Sequence, residues 1–416
     1  MNVLHLVQGY APAIGGTEFL IQNISEKLVE RFGDEVRVLT TNAYNCESFN
    51  TFGQKTMAPG EEDINGVSVK RLKVFNKTAP IFNLAQKALF RPRLPLNHWA
   101  RTLYSGPILP GIIPEIMKAD ADVVAASSFP LMHMHYAGVI KRLKKIPLVL
   151  IGGLHPEDKW GFDRKNIYKA IRNADAYIAY TTYEKEYLIE KGIDPKKIHV
   201  IGVGIDPDLY EKADGNALKK KYGINGSPVV TFLGQQGGHK GIETLIESMG
   251  PVWNKVPDAS LIIAGARTNY SSTVDAMIAA LDKDRQKKVI NITGFDEKEK
   301  ADILAASDIF ASPSGYESFG ITYIEAWASK KPVIGCRSGA VPTVIDENIN
   351  GLLVDYRDKQ ELTGAILELV LDKRYSKRLA ESGYNKFQQN YTWEIVAKRF
   401  RDVYKQVAKD GDGKTH

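Results

Sequence analysis

Short apolar runs alternate with longer amphipathic segments along almost the whole chain. Short runs rich in Val, Ile and Leu predict buried strands, and the segments between them predict helices. The predicted strands are 3–7, 36–40, 67–72, 123–126, 148–151, 177–180 and 199–201 in the first half, and 229–233, 261–264, 289–292, 309–311, 333–335 and 352–354 in the second. The predicted helices include 17–31, 184–191, 242–252 and 360–371.

Buried strands that alternate with helices predict parallel sheets covered by helices on both faces. We therefore expect an α/β fold with two domains and a cleft between them. The stretch 202–207 is rich in Gly and Pro and is the expected linker. The last helices, after residue 373, have no strand behind them, and a tail from Asp410 is predicted to be disordered.

The composition, 44% hydrophobic and 25% charged residues, is that of an ordinary globular protein. Two cysteines cannot build a disulfide framework, which favours a reducing, cytoplasmic location. No apolar run approaches the length needed to cross a bilayer, and the N-terminus resembles a first strand rather than a signal peptide. The net charge of +6 suits an anionic substrate or membrane surface, and it gives no indication of nucleic-acid binding.

An anion-binding pattern follows the predicted strand 309–311. Pro and Gly residues within 313–315 end that strand, and Ser318 is a suitable N-cap for a helix that continues to about residue 329. The first N–H groups of a helix have no intrahelical partner and lie at its positive end, where they bind anions. Here those N–H groups would belong to Phe319, Gly320 and Ile321.

Two carboxylates, Glu317 and Glu325, flank this amide cluster. Because helical side chains lean toward the helix N-terminus, Glu325 can reach the same opening. Carboxylates that touched a phosphate would repel it, but they can accept hydrogen bonds from hydroxyl groups on either side of it. A sugar nucleotide has this layout, with sugar hydroxyls, a diphosphate and a ribose in succession. The alternative is an exposed helix with a solvated glutamate.

The spacing Glu-x7-Glu after a small-residue loop resembles glycosyltransferase family 4, retaining enzymes of the GT-B fold. The resemblance covers nearly the whole chain. It implies two Rossmann-like domains whose parallel sheets face each other across a cleft. These would be an acceptor domain at 1–205 and a nucleotide-sugar donor domain at 206–390, and a C-terminal helix within 391–416 would return to the first domain.

The loop after the first strand contains two adjacent glycines, Gly15 and Gly16. Glycine lets the backbone approach a ligand closely, and ligands in open α/β sheets lie at the carboxyl ends of the strands. A tight strand-to-helix turn is the alternative explanation. The family resemblance implies that this pair faces the donor diphosphate.

A second glycine-rich loop, 234–241, contains Lys240, a suitable partner for phosphate. The family pattern has Arg and Lys here, and Gln235 stands at the Arg position. A neutral amide cannot offset the charge of the leaving group, which would remove about 2–4 kcal/mol of transition-state stabilisation. Three alternatives follow. Another cation, such as Arg267 or Arg337, takes the place of the missing Arg, or turnover is slower, or the protein binds its nucleotide sugar without catalysing transfer.

His155, after the predicted strand 148–151, is the third candidate. A lone His is often structural, but the family carries a His at the matching place, close to the donor sugar. The Asp that usually follows is replaced by Pro156. The resemblance implies substrate contacts at Gly15, Gly16, Gln235, Gly294, Phe295, Ser318, Phe319, Gly320, Ile321, Thr322 and Glu325, and catalytic roles for His155, Lys240 and Glu317.

The resemblance also implies the reaction: transfer of a hexosyl unit with retention of configuration. The acceptor would attack from the face that the diphosphate leaves, and the leaving phosphate would accept its proton. We expect a UDP-sugar as donor, with GDP-mannose as the alternative, and a glycan or lipid-linked hydroxyl as acceptor. Neither a metal nor another cofactor is expected.

Segment 77–114 carries five Lys or Arg and no Asp or Glu, interleaved with aromatic and aliphatic residues. This mixture is typical of a membrane interface or of a site for a lipid-linked acceptor. Arg91, Arg93 and Arg101 are the cations expected to contact anionic lipid. The alternative is a loop with buried aromatic residues and solvated charges.

Two other functions fit the sequence. One is a sugar-nucleotide 2-epimerase, which shares a two-domain fold of this shape but would need further acids and bases around the sugar. The other is a degenerate transferase that only binds its nucleotide sugar, as the neutral Gln235 suggests.

Overall fold

The computed structural model describes residues 1–13 and 15–412. These residues form two compact units. Unit 1 comprises Met1–Gly204 and the segment from Trp393 onward, and unit 2 comprises Ile205–Thr392. The chain therefore passes between the units twice, after Gly204 and after Thr392.

Unit 1 is built on one sheet, whose strands in the described chain are β1 (Asn2–Leu6), β2 (Glu35–Thr41), β3 (Gly60–Ile64), β4 (Val67–Leu72), β5 (Val123–Ser127), β6 (Leu148–Ile151), β7 (Ala176–Ala179) and β8 (Ile198–Val200). Its order is β3-β4-β2-β1-β5-β6-β7-β8. The helices are α1 (Gly16–Phe32), α2 (Ala79–Phe90), α3 (Asn97–Ser105), α4 (Ile112–Lys118), α5 (His133–Lys144), α6 (Lys165–Asn173) and α7 (Thr182–Glu190). Short 3-10 turns lie at Cys46–Phe49 and Pro195–Lys197.

Strand β3 departs from the predicted parallel sheet, because it pairs antiparallel with β4. The two strands are joined at Asn65 and Gly66, which both have positive φ, 54° and 81°. An Asn-Gly pair of this kind is the usual signal for a tight hairpin. The apolar pattern missed β3 because four of its five residues are exposed.

Unit 2 is built on an entirely parallel sheet, whose strands in the described chain are β9 (Val229–Leu233), β10 (Ser260–Ala264), β11 (Val289–Ile292), β12 (Ile309–Ala311), β13 (Val333–Cys336) and β14 (Leu352–Val354). Its order is β11-β10-β9-β12-β13-β14. The helices are α8 (Pro207–Glu211), α9 (Gly215–Tyr222), α10 (Ile242–Lys255), α11 (Ser271–Ala279), α12 (Lys283–Gln286), α13 (Glu297–Ala306), α14 (Ile321–Ala328), α15 (Val341–Val344), α16 (Lys359–Leu371) and α17 (Lys373–Asn390), with a 3-10 turn at Gly238–Lys240.

The central strands of both sheets are buried along their whole length. Strands covered on both faces are apolar at nearly every position, because alternate side chains point to opposite faces and both faces are buried. This explains why continuous Val, Ile and Leu runs located these strands in the sequence.

The last helix, α18 (Trp393–Asp412), belongs to unit 1. Its Arg401 guanidinium donates to both carboxylate oxygens of Asp34, at 2.6 and 2.8 Å. Its Tyr404 hydroxyl lies 3.0 Å from Nε2 of His5 in β1. The helix continues through Asp412, so the prediction of disorder from Asp410 is wrong at its start; residues 413–416 lie outside the described residues.

Among the helices formed by the described residues, none combines the length and apolar character needed to cross a bilayer.

Candidate functional site

The sheet of unit 2 has a point where its connections change direction. Strand β9 lies between β10 and β12, so the chain leaves it toward one edge and later returns to its other side. Ligands of open α/β sheets bind at such points, outside the carboxyl ends of the strands. The loops there are 234–241 after β9 and 312–320 after β12.

These two loops are in direct contact. The N–H of Gly315 donates to the His239 carbonyl at 2.7 Å, and the His239 ring stacks on Tyr316 with 4.4 Å between ring centroids. Gly241 has φ of 72°, and a Cβ there would collide with the carbonyl oxygen of Pro313. A residue without a side chain is therefore required where the loops meet.

An ion pair joins the same loops. Nζ of Lys240 lies 2.7 Å from Oε1 of Glu317, and each side chain is 18% exposed. The structure thus brings together the two residues predicted to contact phosphate and sugar. A cation and an anion that both keep access to solvent can each exchange partners when a ligand binds.

The predicted N-cap is wrong. Helix α14 begins at Ile321, and Gly320, with φ of 84°, occupies the N-cap position without a side-chain cap. A Cβ at Gly320 would lie 2.5 Å from the Tyr323 ring. The N–H groups at the helix start are therefore those of Ile321 and Thr322, while Phe319 and Gly320 are buried in the preceding turn. Ser318 is half-buried and lies before this turn.

Glu325 lies on the buried face of α14, with 2% of its surface exposed. Its Oε1 is 2.5 Å from Nζ of Lys300, which also pairs with Glu297 at 2.6 Å. Burial raises the pKa of Tyr210 well above its usual value, and the Glu325 charge adds to this shift. The alternative of an exposed, solvated glutamate is therefore wrong for Glu325. The apolar pattern could not reveal Lys300, which stands in a run of alternating charges.

The loop after β9 shows no cation at the position of the expected Arg. Gln235 is exposed, while its neighbour Gln236 is buried and donates to Oδ1 of Asn291 at 2.8 Å. Both arginines considered as substitutes are bound to carboxylates. Arg267 pairs with Asp275. The Arg337 guanidinium contacts three carboxylates, those of Glu347, Asp355 and Glu361.

Two predicted contact residues lie beyond the end of β11. Gly294 is exposed with φ of 71°, and Phe295 is half-buried. The next residue, Asp296, caps α13 by accepting the Glu299 N–H at 2.8 Å. This cap fixes the loop at the same carboxyl edge of the sheet as the Lys240 loop.

Unit 1 has its own change of direction, between β1 and β5. The loop after β1 contains the two predicted glycines. A Cβ at Gly15 would collide with the Glu18 carboxylate, whereas one at Gly16 would meet nothing within 4 Å. Burial raises the pKa of Glu18. The Glu18 carboxylate thus occupies the space beside Gly15 into which a ligand would have to come.

His155 is half-buried in the loop after β6, with its ring centroid 5.2 Å from that of Phe162. The buried Glu184 carboxylate holds this loop by accepting the N–H groups of Gly153 and Leu154, each at 3.0 Å. Burial raises the pKa of Glu184. No sequence pattern indicated this support, because Glu184 lies 29 positions after His155 and belongs to a separate helix, α7.

Within residues 1–13 and 15–412, no group of three or more His, Cys, Asp and Glu side chains is placed to hold a metal ion.

Comparison with known proteins shows what both halves of the chain are similar to. Residues 14–209 match the model described as "Glycosyltransferase Family 4", and residues 214–386 match "Glycosyl transferases group 1". A D-inositol 3-phosphate glycosyltransferase of Corynebacterium glutamicum is 30% identical over 258 residues, which are 59% of this chain and 61% of that protein. A mannosylfructose-phosphate synthase of Agrobacterium fabrum is 29% identical over 55% of this chain and 52% of that protein. The chain thus spans little more than half the length of these relatives.

Solved structures share the fold. The HepE protein of Anabaena, determined in complex with UDP and glucose, superposes with a TM-score of 0.71 at 18% identity. The superposition covers 96% of this chain and 98% of that protein.

Proposed function

Since the chain belongs to glycosyltransferase family 4 and has the GT-B fold, we propose that it is a retaining hexosyltransferase. It would move a hexosyl unit from a nucleotide diphosphate sugar to a hydroxyl acceptor on a glycan or lipid-linked carrier. A UDP-sugar is the favoured donor because HepE was solved with UDP and glucose. GDP-mannose is the alternative.

The observation that carries this proposal is the Lys240–Glu317 pair at the switch point of the unit 2 sheet. A departing diphosphate needs positive potential aimed at the charge that develops on it. Lys240 and the first N–H groups of α14 supply that potential from two neighbouring loops. Once Lys240 turns to the diphosphate, the Glu317 carboxylate is free to accept hydrogen bonds from sugar hydroxyls.

The remaining steps use residues that stay predictions. Glu325 would accept hydrogen bonds from the ribose in place of its contact with Lys300, and His155 would bond the transferred sugar. The acceptor hydroxyl would attack from the face that the diphosphate leaves, and the leaving phosphate oxygen would take its proton. This route needs no covalent intermediate on the protein and no metal.

Release of UDP or GDP from nucleotide sugars without an acceptor tests the proposal. Glu317→Ala should abolish release of the nucleotide while nucleotide affinity stays nearly intact, because Lys240 keeps its charge. Glu381→Ala, which removes an exposed carboxylate from α17, is the control and should behave as wild type. Unchanged release in Glu317→Ala would refute the assigned role of Glu317.

A binding-only protein is the second candidate, and one observation favours it. Gln235 provides no charge at the diphosphate, and both Arg267 and Arg337 are already bound to carboxylates. A protein of this kind would bind UDP or a UDP-sugar in a calorimeter and release no nucleotide from any donor tested.

We also propose a cytoplasmic location with peripheral membrane contact through 77–114. Helix α2 exposes Ile81 and Leu84, the latter with 71% of its surface accessible. Exposed cations, Arg91 and Arg93, follow the same helix. Arg101 is not part of this surface, because only 2% of it is exposed; its predicted contact with lipid is wrong.

A further inference from the structure

Two guanidinium groups lie buried side by side in unit 1. Arg101 of α3 is 2% exposed, and Arg164, which precedes α6, is completely buried. Both donate to the carbonyl oxygen of Trp160, at 2.7 Å from Nη1 of Arg101 and at 3.3 Å from Nε of Arg164. The shared acceptor places the two like charges close together.

Every other acceptor that these groups reach is also uncharged. Nη2 of Arg101 contacts Oδ1 of Asn97 at 3.3 Å and Nδ1 of His98 at 2.8 Å. Nη1 of Arg164 donates to the Thr102 hydroxyl at 3.1 Å, and both of its Nη atoms donate to the Ser105 hydroxyl, at 3.4 and 3.3 Å. Aromatic rings cover the two cations: Phe90 lies over Arg101 and Trp160 over Arg164.

The pair lacks a counterion among the described residues. No carboxylate there lies within ion-pair distance of either guanidinium; Asp158 and Asp163 act on them only from farther away. The Asp158 carboxylate accepts the Gly161 N–H, and that of Asp163 accepts the Tyr168 hydroxyl. Burial lowers the pKa of Arg164 to about 9, and the neighbouring charge of Arg101 adds to the shift.

Buried charges in proteins are normally paired, because their transfer from water is strongly unfavourable. Two adjacent cations without an anion therefore point to a ligand that supplies one. Unused polar atoms support this conclusion. Nε of Arg101 and Nε2 of His135 are buried without a hydrogen-bond partner, and the Arg164 charge contributes to the lowered pKa of His135, after burial and His133.

The cluster occupies a functional position in the sheet. Arg164 ends the loop that follows β6 and carries His155. His135 lies in the first turn of α5, the helix that follows β5, and its ring centroid is 4.7 Å from that of Trp99. Parallel strands β5 and β6 are neighbours, so both loops leave the same carboxyl edge of unit 1. Ser105 is half-buried, so the cluster reaches the surface there.

We propose that Arg101 and Arg164 bind the phosphate group of a phosphorylated acceptor. A phosphate group carries close to two negative charges in the monoester of a sugar phosphate and one in the diester of a lipid-linked sugar. In either form its acceptor oxygens can face both guanidinium groups at once. The Nε–H of Arg101 would gain its missing acceptor. The acceptor role rests on the proposed transferase function, whereas the phosphate site itself does not. The phosphate could belong to a soluble sugar phosphate or to a lipid-linked carrier.

Thermal unfolding of the full chain with inorganic phosphate tests the site. Phosphate should raise the midpoint in wild type more than chloride at equal ionic strength. Arg101→Gln should lose this shift, while Arg142→Gln, which removes an exposed cation from α5, should keep it. A shift that matches the chloride shift, or that persists in Arg101→Gln, would overturn the proposal.

If Arg101→Gln does not fold, the phosphate site is tested in the wild-type protein instead, with a crystal soaked in arsenate. Anomalous scattering should place arsenic within hydrogen-bond reach of both guanidinium groups. Arsenic found instead only at surface lysines such as Lys196 and Lys197 would reject the site.

Competition then identifies the source of the phosphate. A soluble hexose 6-phosphate and a polyprenyl-phosphate sugar in detergent are added against inorganic phosphate. Displacement by one of them supports the acceptor role and names the source, and displacement by neither overturns that role. Phosphate binding without nucleotide release from any donor would instead reject the transferase and leave the anion site intact.

Discussion

At the scale of single residues, the pairing of Lys240 with Glu317 gives each group a partner in the absence of ligand. A lysine ammonium is a compact charge on a flexible stem, so it can move to a diphosphate without displacing the backbone. The carboxylate that it leaves needs new hydrogen-bond donors, and hydroxyl groups of a hexose supply them. Donor binding would thereby exchange one set of charge-assisted contacts for two.

The neutral side chain of Gln235 leads to a prediction at the same scale. Gln235→Arg should increase acceptor-independent nucleotide release by about thirtyfold to a thousandfold, because a charge-assisted contact to the leaving group is worth roughly 2–4 kcal/mol. Gln235 is exposed, so a longer side chain has room. The rate is measured with several donors.

Gln360→Arg is the matched control, since it adds the same charge to an exposed position at the start of α16 and should leave the rate unchanged. A measurable rate that is unchanged in Gln235→Arg would show that position 235 does not contact the leaving group. No release from wild type or from Gln235→Arg, combined with intact nucleotide binding, would favour the binding-only alternative.

At the scale of elements, Gly241 joins the loop after β9 to helix α10. Its left-handed backbone and the contact with Pro313 predict that Gly241→Ala destabilises unit 2 by about 1–3 kcal/mol. Gly364→Ala, inside helix α16, should be neutral or stabilising, because a Cβ there meets nothing within 4 Å. Urea unfolding of both variants compares the two effects. Equal stability of the two variants would show that the loop contact at Gly241 is dispensable.

The sequence predicted elements far better than their ends. Each buried strand was found because a strand covered on both faces is apolar at nearly every position, whereas β3 was missed because it is exposed and charged. The helix after β12 was predicted to have Ser318 as its N-cap, but the positive φ of Gly320 and the ring of Tyr323 move its start to Ile321. The first residue of a helix thus depends on contacts with neighbouring side chains, and a local sequence pattern does not contain these contacts.

The candidate site was predictable only where its residues are consecutive or follow a family spacing. Lys240 and Glu317 could be named in this way, and the structure pairs them. The partners of Glu325 could not, because Lys300 and Tyr210 come from separate helices. The same holds for Arg101 and Arg164, which are 63 positions apart and meet only through the fold.

At the scale of the whole molecule, the two ends of the chain meet in unit 1 through His5 and Tyr404. Burial lowers the pKa of His5 to about 3, so the unfolded chain binds this proton at a higher pH than the folded one. Stability is therefore complete above about pH 6.5 and falls as the pH drops toward 3. Between pH 7.5 and 5.0 the loss from His5 amounts to about 2 kcal/mol.

Urea unfolding at the two pH values checks this contribution. His5→Gln keeps an amide that can bond Ser25 or Tyr404 but cannot titrate, so its stability should change less with pH by about 2 kcal/mol. An equal pH dependence in wild type and variant would mean that His5 is protonated in the folded state.

The distribution of charge over the molecule gives the last prediction. The net charge of +6 is modest, so electrostatic attraction to a membrane depends on where cations accompany exposed apolar groups. Helix α2 and the residues after it combine both, because α2 exposes Leu84 and the exposed Arg91 and Arg93 follow its end. Each cation near an anionic surface contributes about 1 kcal/mol, and salt screens this attraction.

Wild-type protein should therefore co-sediment with vesicles that contain anionic lipid, and less so as salt is raised. Changing Arg91 and Arg93 together to Ser should weaken binding at low salt about tenfold or more, since about 2 kcal/mol is removed. Changing Lys373 and Arg374 to Ser removes the same charge from exposed positions in unit 2 and should have little effect. Equal binding of the two double variants would assign the attraction to overall charge and exclude a membrane role for segment 77–114. Arg101 stays unchanged in these experiments, because its buried guanidinium is not part of the exposed surface that would contact a vesicle.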